Sequence, residues 1–169
     1  MRYPTTWGSI FVPQGTLHHL KAHPDVMDIL PEAVSRLGKP SSSFFKAEVD
    51  MGRIVGRSGR CSTSPITPDG EAWFALRVNR EKPSRIIMSQ GPEAQTVVII
   101  AKKDSRNGEW RLLTAWIGSA VSECEPWDRG LGERERVISL AFWCENALAY
   151  DAEVMGEPFL STWNVILQR

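Results

Sequence analysis

The spacing of apolar residues changes twice along the chain, from the period of a helix to the alternation of a strand and back again. Within residues 26–37, apolar side chains recur every three or four positions and predict an amphipathic stripe. At Pro31 either this helix is kinked or a short turn precedes a helix that starts near Leu30. Thr16 is positioned to cap a shorter helix over 17–23. After Gly132 the helical spacing returns and predicts a helix over about 134–149.

Between these helical segments the pattern alternates, and Gly or Pro interrupts it at short intervals. The run 97–101 is apolar throughout, which is typical of a central strand buried on both faces. Residues 95–103 and 109–117 form the clearest predicted hairpin, with the even-numbered residues from Trp110 to Trp116 on one face. The full set of predicted strands is 7–12, 44–50, 53–57, 72–79, 85–89, 95–103 and 109–117.

The order of these elements predicts an α+β fold. We expect N-terminal helices, a central, mostly antiparallel sheet, and a C-terminal helix packed on that sheet. We expect a single domain over residues 1–169, with its core at roughly 10–150 and a C-terminal extension at 151–169. Within that extension, the pattern over 159–167 fits either a strand or a short helix.

Composition narrows the class of protein. Of 169 residues, 42% are apolar and 24% are charged, and seven are Trp, as expected of a folded chain rather than a disordered one. The longest apolar run, 97–101, is far shorter than the roughly 20 residues that span a bilayer. The first seven residues lack the apolar core of a secretion signal. Three widely spaced cysteines, Cys61, Cys124 and Cys144, indicate reduced thiols. Together these features predict a cytoplasmic protein without a membrane span.

Charge is unevenly distributed although the formal net charge is zero. Residues 1–106 hold 15 Lys or Arg and 10 Asp or Glu, whereas residues 107–169 hold 5 and 10. This asymmetry is consistent with a local anion-binding face in the first part of the chain. Chance segregation of charge is the alternative interpretation.

All three histidines lie in one short segment, as His18, His19 and His23. His19 and His23 are four residues apart and would share one face of a helix. A metal site would need a third ligand that the sequence does not supply, so no metal is predicted. The remaining interpretations are a catalytic base, since an unperturbed His titrates near neutral pH, and a polar surface residue.

Seven basic residues between positions 53 and 85 form a basic cluster in the middle of the chain. Arg77, Arg80 and Arg85 fall in or beside strand-like segments, where a charge must face either solvent or an anion. Arg80 and Arg85 would reach one phosphate if the chain turns back at Lys82-Pro83. No nucleotide-binding loop, dinucleotide fingerprint or metalloprotease pattern is present, so no cofactor is predicted. The cluster as a whole consists of Arg53, Arg57, Arg60, Arg77, Arg80, Lys82 and Arg85.

Five segments, taken in order, resemble nucleases of the barnase–EndoU–colicin–RelE superfamily, of the phage and polymorphic-toxin type. The segments are HLKAHP at 19–24, ALRVNR at 75–80 with SRII at 84–87, TAWIG at 114–118, PWD at 126–128 and FWCENAL at 142–148. The resemblance covers roughly residues 10–150. It implies a metal-independent toxin endoribonuclease that cleaves RNA by attack of the 2′-OH. It also implies RNA as a partner, together with a neutralising antitoxin or immunity protein.

The resemblance also implies a catalytic site. His19 would be the general base, Arg80 and Arg85 would hold the scissile phosphate, and Thr114 and Asn146 would donate hydrogen bonds to it. A second set of substrate-binding candidates comprises His23, Lys46 and Arg77.

One position departs from the family pattern. Asn146 stands where the family has His, and an amide cannot shuttle a proton near neutral pH. Another group then acts as the acid, or the enzyme is slow, or activity has been lost. The alternative function is therefore a non-catalytic binding or protein-interaction domain on the same fold. Convergence of the five catalytic candidates on one cleft would favour the nuclease.

Overall fold

The chain divides into two units, and a computed structural model describes residues 1–21, 24–63, 72–77, 80–88, 90–119, 132–150 and 159–161. Unit 1 comprises Met1–Ser58 with Glu93–Ala120, and unit 2 comprises Gly59–Pro92 with Val121–Arg169. Each unit combines helix with a mostly antiparallel sheet, so the predicted α+β class is confirmed. A single domain over residues 1–169 stays a prediction.

The described helices and strands, in chain order, are β1 (Arg2–Thr5), β2 (Gly8–Phe11), α1 (Gln14–Lys21), α2 (Pro24–Ser35), β3 (Phe44–Asp50), β4 (Gly56–Arg57), β5 (Arg60–Ser62), β6 (Trp73–Arg77), β7 (Arg80–Ile87), β8 (Glu93–Ala94), β9 (Thr96–Lys103), β10 (Trp110–Ile117), α3 (Glu133–Glu145), β11 (Asn146–Ala149) and β12 (Phe159–Ser161). No helix among the described residues has the length and apolar character needed to cross a membrane.

Unit 1 contains a five-stranded sheet whose inner face carries α1 and α2. The strand order is β1-β2-β10-β9-β3, and neighbouring strands are antiparallel except for β2 and β10. The apolar stripe of α2 packs on strand residues of the inner face, which include Ile10, Val97 and Ile99. We call the opposite surface of this sheet the outer face. The buried stripe of α2 and the segment that follows it consists of Val26, Ile29, Leu30, Ala33, Val34 and Leu37.

α2 matches one of the two predicted alternatives, whereas α1 starts earlier than predicted. α2 is one helix with Pro31 inside it, so no separate turn precedes a helix near Leu30. α1 begins at Gln14, which places Thr16 inside the helix rather than at its cap. The Thr16 hydroxyl instead donates to the carbonyl of Leu112 on β10, at 3.4 Å. This contact links α1 to the sheet.

β9 is the central strand that the apolar run 97–101 predicts. It lies between β10 and β3, and Val97, Val98, Ile99 and Ala101 are buried. The β9–β10 hairpin is confirmed, with Trp110 opposite Lys103 and Ile117 opposite Val97. Burial on both faces explains why apolar residues occupy consecutive positions.

A β-bulge at Leu113 changes which side chains of β10 face inward. Leu112 pairs with Ala101, whereas Thr114 pairs with the adjacent Ile100, so Leu113 is the extra residue. Leu112, Ala115 and Ile117 are therefore all buried, and Thr114 and Trp116 point to the outer face. The predicted alternation, with Leu112 on the face of Thr114, was wrong because it assumed an uninterrupted strand.

Unit 2 contains a second five-stranded sheet in the order β12-β6-β7-β11-β5. β7 runs through Lys82-Pro83 as one strand, so the predicted turn at that position was wrong. α3 ends at Glu145, and residues 146–149 form β11, so the predicted helix to 149 was also wrong. β11 lies between β5 and β7, and these backbone pairings compete successfully with helix extension. The tail contributes a strand at Phe159–Ser161, one of the two predicted forms.

Gly118 ends the TAWIG segment and should be intolerant of a side chain. Its φ of +117° is one that residues with a Cβ rarely adopt, and a methyl group there would lie 3.1 Å from Ser58 Cβ and closer to its hydroxyl. We expect Gly118→Ala to lower the free energy of unfolding by about 1–3 kcal/mol in urea titrations. Gly38→Ala is the matched control, because no atom lies within 4 Å of a Cβ there. Equal stability of the two variants would contradict this interpretation.

Candidate nucleic-acid interface

The predicted catalytic residues are distributed over both units. His19, Thr114 and the secondary candidate Lys46 belong to unit 1, whereas Arg80, Arg85, Asn146 and Arg77 belong to unit 2. The backbone pairs Arg77 with Arg80 across β6 and β7. His23 and the PWD segment at 126–128 lie outside the described residues. Convergence of the whole set on one cleft stays a prediction.

Within unit 1 the sheet separates the predicted base from its predicted helpers. His19 is exposed on α1, which packs on the inner face. Thr114 and Lys46 both flank Ile100 in the register of the sheet, so they point to the outer face about 10 Å apart. The Lys46 ammonium lies 6.0 Å from the centre of the Trp116 ring. Thr114 and Lys46 thus point to the outer face, whereas His19 belongs to a helix that packs on the inner face.

Arg85 and Asn146 meet at the C-terminal end of α3. The last four carbonyls of a helix lack partners within it, and here each accepts a hydrogen bond from outside the helical ladder. Asn146 Nδ2 donates to Phe142 O at 2.9 Å, and the Thr63 amide donates to Glu145 O at 2.8 Å. Arg85 Nη1 donates to Cys144 O at 2.9 Å and to Trp143 O at 3.4 Å. Two predicted catalytic residues therefore close this helix end.

The environment of Arg85 differs from that of a solvated phosphate-binding residue. Arg85 is 1% exposed, and its Nη1 also donates to the Thr63 hydroxyl at 3.0 Å. A cation at a helix C-terminus is favoured by the helix dipole. Burial therefore argues against the predicted phosphate contact, and the observed contacts give Arg85 a structural role.

Cys144, beside Arg85, is not an activated nucleophile. Burial raises the pKa of its thiol, the charge of Arg85 lowers it in part, and the nearby Glu145 carboxylate raises it. A raised pKa keeps the thiol protonated at neutral pH, whereas reactive cysteines require a lowered pKa.

The other half of the basic cluster is largely neutralised. Arg53 binds Glu32 through two hydrogen bonds of 2.9 and 2.6 Å, and Arg36 adds a third of 2.6 Å. Arg57 lies 3.8 Å from Glu93. Arg60 belongs to unit 2, where its guanidinium lies 5.8 Å from the centre of the Phe142 ring.

A different set of side chains crosses the outer face of unit 1. Strand register aligns Arg2 with Phe11, Phe11 with Arg111, Arg111 with Lys102, and Lys102 with Phe44. We call these five residues the cation–aromatic row. They come one from each strand, so the row spans the whole sheet. The distance from Phe11 to Phe44, three strand spacings, is about 14 Å.

The row is exposed except at the half-buried Phe11, and its two arginines contact that ring. The guanidinium groups of Arg2 and Arg111 lie 5.3 and 6.0 Å from the centre of the Phe11 ring. The side chains of Arg2 and Arg111 are 63% and 43% exposed, and Phe44 is 49% exposed. Bases of single-stranded nucleic acid stack on such aromatic rings and guanidinium planes, and phosphates bind the cations.

Two acids at the edge of the row orient its arginines. Glu109 accepts hydrogen bonds from Arg2 Nε and Nη2 at 3.1 and 2.5 Å, and Asp104 lies 3.0 Å from Arg111 Nη2. A guanidinium has five N–H donors, so these pairs leave donors available to a ligand. Lys102 has no carboxylate partner among the residues that the structure describes.

Sequence reasoning missed the row because its members are far apart in the chain. Phe11 and Arg111 meet through the single parallel pairing of the sheet, between β2 and β10. No local pattern specifies that pairing. The sequence contains only a weak signal for the row. Phe44 and Lys102 lie in strands that the sequence predicted, at positions that alternate with core-facing residues. Over the described part of the chain, no group of three or more His, Cys, Asp or Glu side chains is arranged to hold a metal ion.

The structural role of Arg85 can be tested by stability. We expect Arg85→Leu to lower the free energy of unfolding by at least about 2 kcal/mol, because the carbonyls of Trp143 and Cys144 lose their donor in a buried setting. Urea unfolding followed by circular dichroism measures this change. Arg57→Gln, at an exposed pair, is the control and should cost under about 1 kcal/mol. An Arg85→Leu variant as stable as the parent would contradict the role.

The Glu32 cluster predicts a pH dependence. The hydrogen bond from Arg53, with the charges of Arg53 and Arg36, lowers the pKa of Glu32 from 4.5 to about 2. Its stabilisation is therefore complete above about pH 4.5 and is lost as pH falls towards 2. Above about pH 4.5, we expect the parent to have a higher urea midpoint than Glu32→Gln or Arg53→Gln. Below about pH 2, we expect the three midpoints to converge. A gap that persists unchanged to about pH 2 would refute the assignment.

Comparison with other proteins identifies no family and no function for this chain. No known protein family, curated protein or solved structure matches this chain. The nuclease resemblance therefore stays a prediction, and the geometry of unit 1 is the basis for a functional proposal.

Proposed function

We propose that this chain binds single-stranded RNA on the cation–aromatic row of unit 1. The observation that carries the proposal is the alignment of Arg2, Phe11, Arg111, Lys102 and Phe44 across the outer face of one sheet, with Arg2, Lys102 and Phe44 exposed. RNA is the partner that the sequence resemblance implies. Binding without cleavage corresponds to the alternative function that the sequence left open.

The chemistry of the row favours an unpaired strand. Phe44 offers an exposed ring to a base, and the guanidinium groups layered on Phe11 offer a second stacking surface. Bases inside a duplex are stacked on each other and cannot use such surfaces. Lys102 lies between the two stacking surfaces, where the phosphates that link the stacked nucleotides would run.

Cleavage would require a further set of groups around one phosphate. Metal-independent attack by a 2′-OH needs a base, an acid and cations that stabilise the phosphorane. In unit 1, Thr114 and Lys46 point to the outer face of the sheet, whereas His19 lies on α1, which packs on the inner face. We therefore propose binding as the function and treat cleavage as an outcome of the test. An antitoxin partner belongs to the cleavage hypothesis alone.

The proposal is tested by measuring affinity for a fluorescent RNA oligonucleotide by anisotropy. Base stacking on an aromatic side chain is worth about 1–3 kcal/mol, so Phe44→Ala should weaken binding roughly 5- to 150-fold. Ile54→Ala is the matched control, because Ile54 is also apolar and exposed but lies outside the row. Equal affinity of both variants and the parent would exclude the row as the binding surface.

Salt dependence and product analysis sharpen the same experiment. Lys102→Gln should reduce the slope of log K against log salt by about 0.7, the value for one phosphate contact on a single strand. Lys21→Gln, on α1, should leave that slope unchanged. The RNA is examined for cleavage after incubation with EDTA. Cleavage that Phe44→Ala leaves intact and His19→Ala abolishes would replace the binding proposal with the nuclease.

A further inference from the structure

A groove of about 600 Å³ opens at one end of the unit 1 sheet. Three connecting segments meet there: the β1–β2 turn with Trp7, the segment 41–43 before β3, and the β9–β10 turn. Lys39 and Lys103 belong to its lining, together with the three consecutive serines at 41–43, of which Ser42 donates its hydroxyl to the Phe44 carbonyl. The volume is within the range of small-molecule sites.

The aromatic part of the groove is held in place. Trp7 Nε1 donates to the carbonyl of Leu37 at 3.1 Å, which fixes the ring of Trp7. Trp110 contacts Trp7 edge-on at a centroid distance of 5.7 Å, and Phe45 supports Trp110 at 5.2 Å. The groove therefore has a defined aromatic wall beside its polar groups.

The electrostatics of the groove favour an anion. Lys39 and Lys103 are exposed, and neither has a carboxylate partner within the described part of the chain. Glu109, the acid of the lining, is paired with Arg2. Two ammonium groups and nearby hydroxyls provide the donors that a phosphate oxygen accepts.

The groove lies next to the cation–aromatic row along three strands of the sheet. Arg111, Lys102 and Phe44 of the row are next in sequence to Trp110, Lys103 and Ser43 of the groove. Successive strand residues point to opposite faces, so the row lies on the outer face while Trp110 and Lys103 point to the inner face, and the groove opens at the end of the sheet beside the row. The Arg2–Glu109 ion pair joins the two.

We propose that this groove binds the terminal phosphate monoester of an RNA strand that lies on the row. This inference rests on the proposed RNA binding. An RNA strand that lies along the row and continues past Phe44 meets the segment 41–43, which lines the groove. A terminal monoester carries about −1.5 to −2 charge at pH 7, more than the single charge of a diester linkage. Two lysines without carboxylate partners match that additional charge.

The experiment compares three RNA oligonucleotides of one sequence, about eight nucleotides long, with a 5′-phosphate, a 3′-phosphate or hydroxyls at both ends. We expect one phosphorylated oligonucleotide to bind roughly tenfold more tightly than the hydroxyl-ended one. Which of the two does so identifies the terminus. The Lys39→Gln/Lys103→Gln double variant should reduce that ratio to about one, whereas Lys21→Gln should preserve it.

The outcomes separate this inference from the function on which it rests. Equal binding of all three oligonucleotides would overturn the groove assignment and leave RNA binding intact. A preference that the double variant retains would place the phosphate elsewhere and also overturn the assignment. Failure of every oligonucleotide to bind would overturn both proposals.

Discussion

The β-bulge at Leu113 decides which side chains of unit 1 are buried and which form its exposed surface. In an uninterrupted strand, Arg111 would share a face with Ala115 and Ile117, and burying those two would bury the guanidinium as well. An unpaired buried charge is costly, so such a strand would be unstable. The extra residue shifts the alternation, so that Arg111 points outward while Ala115 and Ile117 enter the core. The cation–aromatic row exists because of this shift.

In unit 2 an arginine lies in the interior instead of at the surface. Arg85 is buried, yet it is stabilised because its donors meet the carbonyls at the end of α3, where the helix dipole is negative. Asn146 completes the same helix end. Arg85 and Asn146, which the sequence suggested as catalytic residues, thus both have structural contacts at this helix end. Residues that a motif marks as functional can be fixed by the need to satisfy four carbonyls.

Local patterns in the sequence predicted the elements of unit 1 well and those of unit 2 less well. β3 has the predicted bounds, and the β9–β10 hairpin and the buried run 97–101 follow from alternation and apolar content alone. Residues 146–149 keep helical spacing but pair with β5 and β7, a tertiary competition that no local pattern reveals. The row depends on a parallel pairing between β2 and β10, two strands about 100 residues apart. Its members therefore cannot be recognised before the topology is known.

The charge asymmetry of the sequence has a different meaning once ion pairs are considered. Several basic residues before residue 107 are engaged within the protein: Glu32 binds both Arg36 and Arg53, and the buried Arg85 donates to carbonyls. Net charge over a segment therefore overstates the surface that attracts anions. Lys39, Lys102 and Lys103, which have no carboxylate partner in the described part of the chain, lie at the end of unit 1 where the row and the groove adjoin. Position and pairing, rather than the number of basic residues, define where a nucleic-acid strand would bind.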